Sequence, residues 1–473
     1  MYHKINFPTV MRKKLTVKSF SGGLRKGVDE SLTDLSRAKI SYNFDYSGGT
    51  LKRGLGLKSL QGYDVSVIKN LKVLAVYYYK RYDHFLEERV EKIIYYCSNK
   101  KLYIANVKDK VFVKLSDVTF SETPVAVQYD YLDNDVMLFA CKTGELYYLD
   151  DEALHQIDNA PSITSLCMHK ERLFVTVAGE GTSLWFSDDF DPTNWVVSLT
   201  EAGFIDFADE YGKLQKVMSF LDYVYVFREY GISRVVAYGD QQEFSTDNLF
   251  GRTGKIYGSS VTDCGDFIMM LTSSGIYRFN GLDTVKILTE YDEFLSGVDN
   301  SNAKGVCSGN LFYLNLNVRV DKEIKIAILI YDLNSKISYL NLGLDVKDFV
   351  FTGGDMNEIL CVKDGCLLPF VIDNSGAVDG VCLTKSWQSA YTDLGVNCRK
   401  KRLSKVSFYT KEDVTLVIES DEKRLIYNVL GGGYREVYPS VLGEKFGFNL
   451  TTASNSPEIS NLSVIVEYVK GAV

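Results

Sequence analysis

Between residues 93 and 368 one pattern of apolar and polar positions recurs seven times. A short apolar strand runs into a polar turn, and a return strand carries an aromatic or aliphatic pair. The copies begin at Ile93-Ile94-Tyr95-Tyr96, Val136-Met137-Leu138-Phe139, Leu173-Phe174-Val175, Val224-Tyr225-Val226-Phe227, Phe267-Ile268-Met269-Met270, Leu311-Phe312-Tyr313-Leu314 and Ile359-Leu360-Cys361-Val362. They return at Leu102-Ile104, Leu146-Leu149, Leu184-Phe186, Ile232-Val235, Ile276-Phe279, Ile328-Tyr331 and Cys366-Leu368. Turns such as Lys142-Thr143-Gly144, Ser273-Ser274-Gly275 and Lys363-Asp364-Gly365 supply the residues that hairpins need. Successive copies start roughly 36 to 51 residues apart, the period of four-stranded propeller blades. The pattern therefore predicts an all-β chain built on a β-propeller of about seven blades. In the sixth copy, the polar stretch from Asn317 to Glu323 reads as a projecting loop.

The flanks lack this period. Residues 1–70, rich in Lys, Gly and Ser, read as an extended N-terminal arm. Residues 71–383 hold the propeller, and residues 384–473 form a β-sandwich-like module. In that module Val406-Tyr409, Val414-Ile418, Leu425-Tyr427 and Leu462-Tyr468 alternate apolar with polar residues around Gly431-Gly432-Gly433. An arm unable to bury its own apolar residues needs a surface to lie on. Phe20, Leu24, Leu51 and Arg53 are accordingly expected at an assembly interface, and removal of residues 1–60 is expected to leave a soluble monomer that fails to assemble.

Composition narrows the function. The 13% aromatic content, with 32 Tyr and 26 Phe, favours half-buried sheet over helix. No apolar run reaches the ~20 residues of a membrane-spanning helix, and the first residues lack the apolar core of a secretory signal. A net charge of −8 argues against a protein that grips a phosphate backbone. Nine Cys at irregular spacing read as reduced, buried thiols; Cys361, Cys366, Cys382 and Cys398 lack the paired spacing of a zinc site. With only 4 His, metal or His-based catalytic sites are not expected. No Gly-rich segment has the strand and helix context that cradles phosphate. The chain is thus read as non-enzymatic, with no cofactor. The basic run Arg399-Lys400-Lys401-Arg402 with Lys405 reads as a solvated edge or subunit contact, with phosphate contact the alternative.

The one motif with local chemistry is Ser187-Asp188-Asp189-Phe190-Asp191-Pro192-Thr193-Asn194-Trp195. It resembles the Asp-box hairpin of sialidase-type propellers, with Asp191 in place of Gly and Asn194 in place of Thr. Its expected role is structural: Ser187 and Asp189 bond the turn's own backbone and Trp195 packs beneath. Calcium binding by Asp188, Asp189 and Asp191 is the alternative.

Two further stretches carry a wider resemblance. Phe20-Ser21-Gly22-Gly23-Leu24, Asn43 and Gly49-Thr50-Leu51-Lys52-Arg53-Gly54 resemble the N-terminal segment of propeller-containing tail proteins of tailed bacteriophages. Trp185 to Trp195, with Tyr225-Val226-Phe227-Arg228-Glu229-Tyr230-Gly231-Ile232, is similar to the central part of phage tail hub, nozzle and packaged-DNA-stabilisation proteins. The resemblance implies a virion protein made in the host cytoplasm, forming a homo-oligomeric ring below the portal and adaptor. Such a ring extends the DNA channel, retains packaged DNA, takes part in its ejection and docks other tail proteins. An acidic channel wall would let DNA pass without adhering. The rival expectation is a carbohydrate-binding or carbohydrate-cleaving propeller, and a third is a monomeric interaction scaffold.

Overall fold

The computed structural model describes residues 10–25, 33–83, 87–131, 134–150, 153–251, 254–367, 369–397 and 399–469. Parts of the expected arm (1–9 and 26–32), Leu368 and Cys398 lie outside the described residues. The compact units do not follow the sequence in three consecutive blocks. One unit comprises Ser59–Ala327 and Asp345–Ile372; the other comprises Met1–Lys58, Ile328–Leu344 and Asp373–Val473.

The first unit is the propeller. Five antiparallel sheets of four strands follow one another along the chain, within residues 73–114, 125–157, 163–206, 214–251 and 262–287. The sixth copy supplies Lys304–Ser308, Leu311–Val320 and, up to Ala327, the start of Glu323–Asp332; the seventh supplies Val346–Phe351, Ile359–Lys363 and, up to Ile372, Phe370–Asp373. The arrangement is one of about six blades, slightly fewer than the number expected. The repeat visible in sequence is each blade's second and third strands, the fully apolar ones. The first strands are more polar and the fourth as short as Val113–Lys114, so neither announces itself.

Two local readings are corrected. Asn317 to Glu323 is not a projecting loop, because Val318 and Val320 are buried and the strands continue to a turn at Asp321-Lys322. The seventh return strand is Phe370–Asp373, while Cys366 lies in the turn before it.

Each blade packs its face against the next. The first and second blades share a core of Tyr79, Ile94, Tyr96, Phe120 and Phe139; the third and fourth share Phe174, Leu184, Val217 and Val226. The ring closes in the same way, with Val73, Ile93 and Tyr95 of the first blade packed on Leu360 and Val362 of the seventh sheet. The abundance of tyrosine has a purpose here. The hydroxyls of Tyr79, Tyr129 and Tyr225 each donate to a backbone carbonyl of the following blade, at Asp135, Glu171 (2.6 Å) and Gly281 (3.0 Å). Each ring buries in an apolar seam while its polar tip joins two wedges.

The second unit consists mainly of two sheets. In one, Val10–Val17 runs antiparallel to Glu458–Val469 in an eight-residue register, with Lys401–Thr410 on the other side. In the other, Ala38–Tyr42, Lys385–Ser389, Phe446–Thr452, Val414–Ser420 and Arg424–Val429 lie in that order. The expected C-terminal strands are present, but residues before 58 are built into the same unit. Phe20 stacks edge-on against Trp387 at 5.1 Å, and Phe44 and Leu51 are fully buried. Removing residues 1–60 would therefore strip core strands, and a folded monomer is not the outcome to expect.

Asn43 is the knot of this unit. It is buried at a positive φ of 61°, donates from its side chain to Thr384 O (2.8 Å) and accepts from Leu342 N (2.7 Å). Its backbone carbonyl accepts from Gly54 N at 2.9 Å. A methyl group on Gly54 would lie 2.4 Å from Asn341 Oδ1 and 2.9 Å from Asn43 O, so only glycine fits. Asn43→Ala should lower the unfolding free energy by about 2–3 kcal/mol, since it orphans the buried N–H of Leu342 and removes the bond to Thr384 O. Urea denaturation checks this; a loss under ~1 kcal/mol contradicts the role.

Candidate functional site at the propeller axis and the acidic turn

The first strands of the blades surround a cavity of about 520 Å³ at the propeller axis. A recurrent irregularity shapes it. The first strands of the first, third, fourth and seventh sheets each carry one extra residue, between Val73 and Ala75, Ile163 and Ser165, Leu214 and Lys216, and Val346 and Asp348. Such a bulge rotates the strand and re-aims the side chains that follow. Ser165, Lys216 and Asp348 consequently line the cavity with Gln128, Gln215 and Lys304.

Two of these side chains tie neighbouring blades. Ser165 Oγ accepts the N–H of Val217 at 3.2 Å, from the third blade to the fourth. Asp348 is buried and spans three sheets: Oδ2 accepts from Val76 N (3.2 Å), and Oδ1 accepts from Lys304 Nζ (2.8 Å) and its own neighbour Phe349 N (3.0 Å). It closes the ring electrostatically. Lys216 makes no ion pair among the described residues, and burial, opposed by Cys167 and aided by Lys304, lowers its ammonium pKa. With one carboxylate against two ammonium groups, the axis carries one net positive charge in a chain of net −8. This arrangement can hold a small anion electrostatically. Sequence reading missed these residues; the available signal was a charge set among apolar strand residues, as in Val346-Lys347-Asp348-Phe349.

The Asp-box-like turn uses Ser187 and Trp195 in the expected places, but the carboxylates that bond its backbone are Asp188 and Asp191 rather than the expected Asp189, whose side chain lies toward Arg172. Ser187 Oγ accepts from Leu173 N (3.1 Å) and donates to Asp188 O (2.9 Å). Asp188 accepts from Asp189 N and Asn194 Nδ2, both at 2.9 Å, while Asp191 accepts from Thr193 N (2.9 Å) and Thr193 Oγ1 (2.6 Å). Trp195 is buried and donates Nε1 to Pro192 O at 3.0 Å. Asp189 is more exposed, 3.6 Å from the buried Arg172. Burial first, then the Asp189 side chain, pushes the Asp188 carboxyl upward. Asp188 and Asp191 face their own turn's donors while Asp189 faces Arg172, and no group of three or more His, Cys, Asp or Glu placed to hold a metal occurs among the described residues.

The residues expected at an assembly interface do not come together on a surface. Phe20, Leu24 and Leu51 are buried within their own unit, for the chain itself supplies the apolar cover they need; Arg53 is exposed, opposite Phe44. The basic run is used at home too: Lys400 pairs with Glu422, Lys401 donates to Val396 O, and Lys405 pairs with Glu436. The eight described cysteines are unpaired, and burial pushes Cys97, Cys141 and Cys167 each up to about 12.

Arg228, inside the second resemblance stretch, is fully buried. It makes a two-pronged contact with Asp209 (2.6 and 2.7 Å), donates to Phe207 O and Gly212 O, and lies over the rings of Phe207 and Tyr211. One guanidinium thus fixes the whole connection from the third blade to the fourth.

No protein-family model matches the sequence, and no curated protein matches it. Among solved structures the chain is similar to BBS1N in complex with ARL6DN, soaked with mercury, at 10% identity over 64% of this chain and 94% of that one, with a TM-score of 0.43. The lead-soaked form of that complex gives 11% identity, 60% and 87% coverage and a TM-score of 0.41. BamB from Moraxella catarrhalis gives 12% identity, 60% and 79% coverage and a TM-score of 0.39. Among the described residues no helix is long and apolar enough to cross a membrane.

Asp348→Ala should cost about 2–3 kcal/mol, the range for hydrogen bonds to a charged group, as judged by urea denaturation. A change within ~0.5 kcal/mol would show that the ring closes without it. Arg228 holds the Asp209 carboxyl down to about 2. The stability from this pair is complete above the ordinary carboxylate pKa of about 4 and fades as pH falls through about 2. Asp209→Asn should therefore flatten the acid limb of the stability curve; identical limbs for both proteins contradict the coupling.

Proposed function

We propose that this chain is a non-enzymatic structural protein of a tailed-bacteriophage virion, one copy of a hub- or nozzle-type ring in the tail. The ring extends the DNA channel, retains packaged DNA and docks portal, adaptor and other tail proteins. The observation that carries this reading is the passive use of the residues in both resemblance stretches. Asn43 and Gly54 lock one unit, while Ser187, Asp188, Asp191 and Arg228 bond the backbone of the other. Chemistry-bearing side chains spent on rigidity suit a part that bears load. The net charge of −8 suits a wall past which DNA slides.

A carbohydrate-binding propeller is the second reading. Trp185 stacks on the exposed Phe204 at 5.4 Å and donates to Glu180 (2.8 Å), an aromatic platform of the kind sugars stack on. Electron microscopy of the purified chain and of particles should show closed rings of this chain at the tail. A chain that stays monomeric at every concentration and is missing from particles overturns the proposal, and saturable binding on a glycan array favours the second reading.

A further inference from the structure

Strands alternate in direction within a blade, so the turns joining first to second strands and those joining third to fourth share one face of the propeller. On that face the third, fourth and fifth blades expose large apolar side chains: Phe190 (67% exposed), Leu199 (75%), Leu221 (55%), Tyr238 (74%) and Leu282 (64%). They belong to one continuous arc. Phe190 N donates to Glu171 O in the neighbouring turn (2.8 Å), and Lys170 of that turn pairs with Asp222 beside Leu221 (2.7 Å). The Tyr238 phenol lies within electrostatic reach of Lys170. Gln241 fastens the Leu199 loop through Ser198 O (2.7 Å), and the side chain of Leu221 lies against Gly281, next to Leu282.

Scattered apolar residues are ordinary, but an arc of this kind over three blades marks a contact surface. Its rim is strongly acidic. The turns at 169–171, 187–202, 221–223, 237–244 and 280–283 hold nine Asp or Glu and one Lys, itself paired with Asp222. The complement lies in the same sequence. Residues 1–28 contain seven Lys or Arg and no Asp or Glu, with Tyr2, Ile5 and Phe7 near the start. Within this segment, among the described residues, the strand Val10–Val17 is paired on one side only, to Glu458–Val469, and exposes Val10 and Met11.

We infer that the acidic-rimmed apolar arc of the propeller face receives the basic N-terminal segment, residues 1–18, of a second copy of this chain. The two surfaces differ, so the contact is heterologous and runs head to tail, the type that generates rings. The inference rests on the proposed ring, and it replaces Phe20, Leu24 and Leu51 as the means by which the N-terminus couples copies.

A labelled peptide of residues 1–18 is titrated into full chain lacking residues 1–9. Saturable binding is expected, weakened at least tenfold by L199E/L282E, and weakened again when salt is raised to about 0.5 M, where the Debye length shrinks to about 4 Å. Both substituted positions are exposed, and an unchanged melting profile confirms the fold. The 1–9 deletion and the L199E/L282E variant should each be monomeric, yet form a one-to-one pair when mixed, because one intact contact remains. No peptide binding, or binding indifferent to L199E/L282E, overturns the inference. Intact rings from both variants overturn it while leaving the ring itself standing. A full chain that never associates overturns the ring, and the peptide titration then decides the docking site separately.

Discussion

The propeller depends on how one wedge grips the next at the axis. A blade's first strand has a sheet neighbour on one side only, which leaves backbone N–H groups facing inward with no strand to receive them, a costly condition when water is excluded. Here a bulge near the start of the strand turns a polar side chain toward the adjacent blade. Ser165 receives Val217 N, and Asp348 receives Val76 N. The second contact joins the last sheet to the first, beside the apolar seam of Tyr95 with Leu360 and Val362. Closure is then one more seam of the same kind, with a carboxylate and Lys304 added where the chain's two ends of the ring meet.

From this constraint the rest follows with little freedom. Blades held at axis and seam leave their turns as the exposed surface, so both the acidic turn and the apolar arc occur there. The Asp-box-like hairpin and the Arg228 clasp serve the same end from opposite sides of the third blade: each spends charged groups on fixing a connection. The axial cavity retains one ammonium without an ion-pair partner among the described residues, Lys216, and its depressed pKa reflects the low-dielectric surroundings that closure creates.

How much of this was legible depends on whether the signal was local. The hairpins from Ile93 to Val362 could be read because a turn such as Ser273-Ser274-Gly275 and its flanking apolar strands lie within a few residues of one another. Ser187 and Trp195 were readable for the same reason, whereas the expected Asp189 yields its backbone-bonding role to Asp188 and Asp191. The bulges were not, since one extra residue changes the pairing without changing the composition. The arm was misjudged because its partner strand is remote: Val10 pairs opposite Val469, and Phe20 meets Trp387, contacts that no periodicity reveals. Residues that lack a local pattern read from sequence as unburied, whereas pairing with remote strands buries them. Asn43 and Gly54 were visible as a motif, but their reason, a backbone approach too close for any Cβ, is a property of the folded unit alone.

The most direct measurement is native-state hydrogen exchange at two amides, Val76 and Val217. Each lies on a first strand and donates not to its own sheet but to a side chain of an adjacent blade. If the blades close around the axis as described, both amides exchange only when the ring opens, at rates near those of the second-strand core. Exchange at the rate of exposed turns, with the second strands still protected, would mean that the hairpins fold without gripping one another, and the closed propeller would be contradicted.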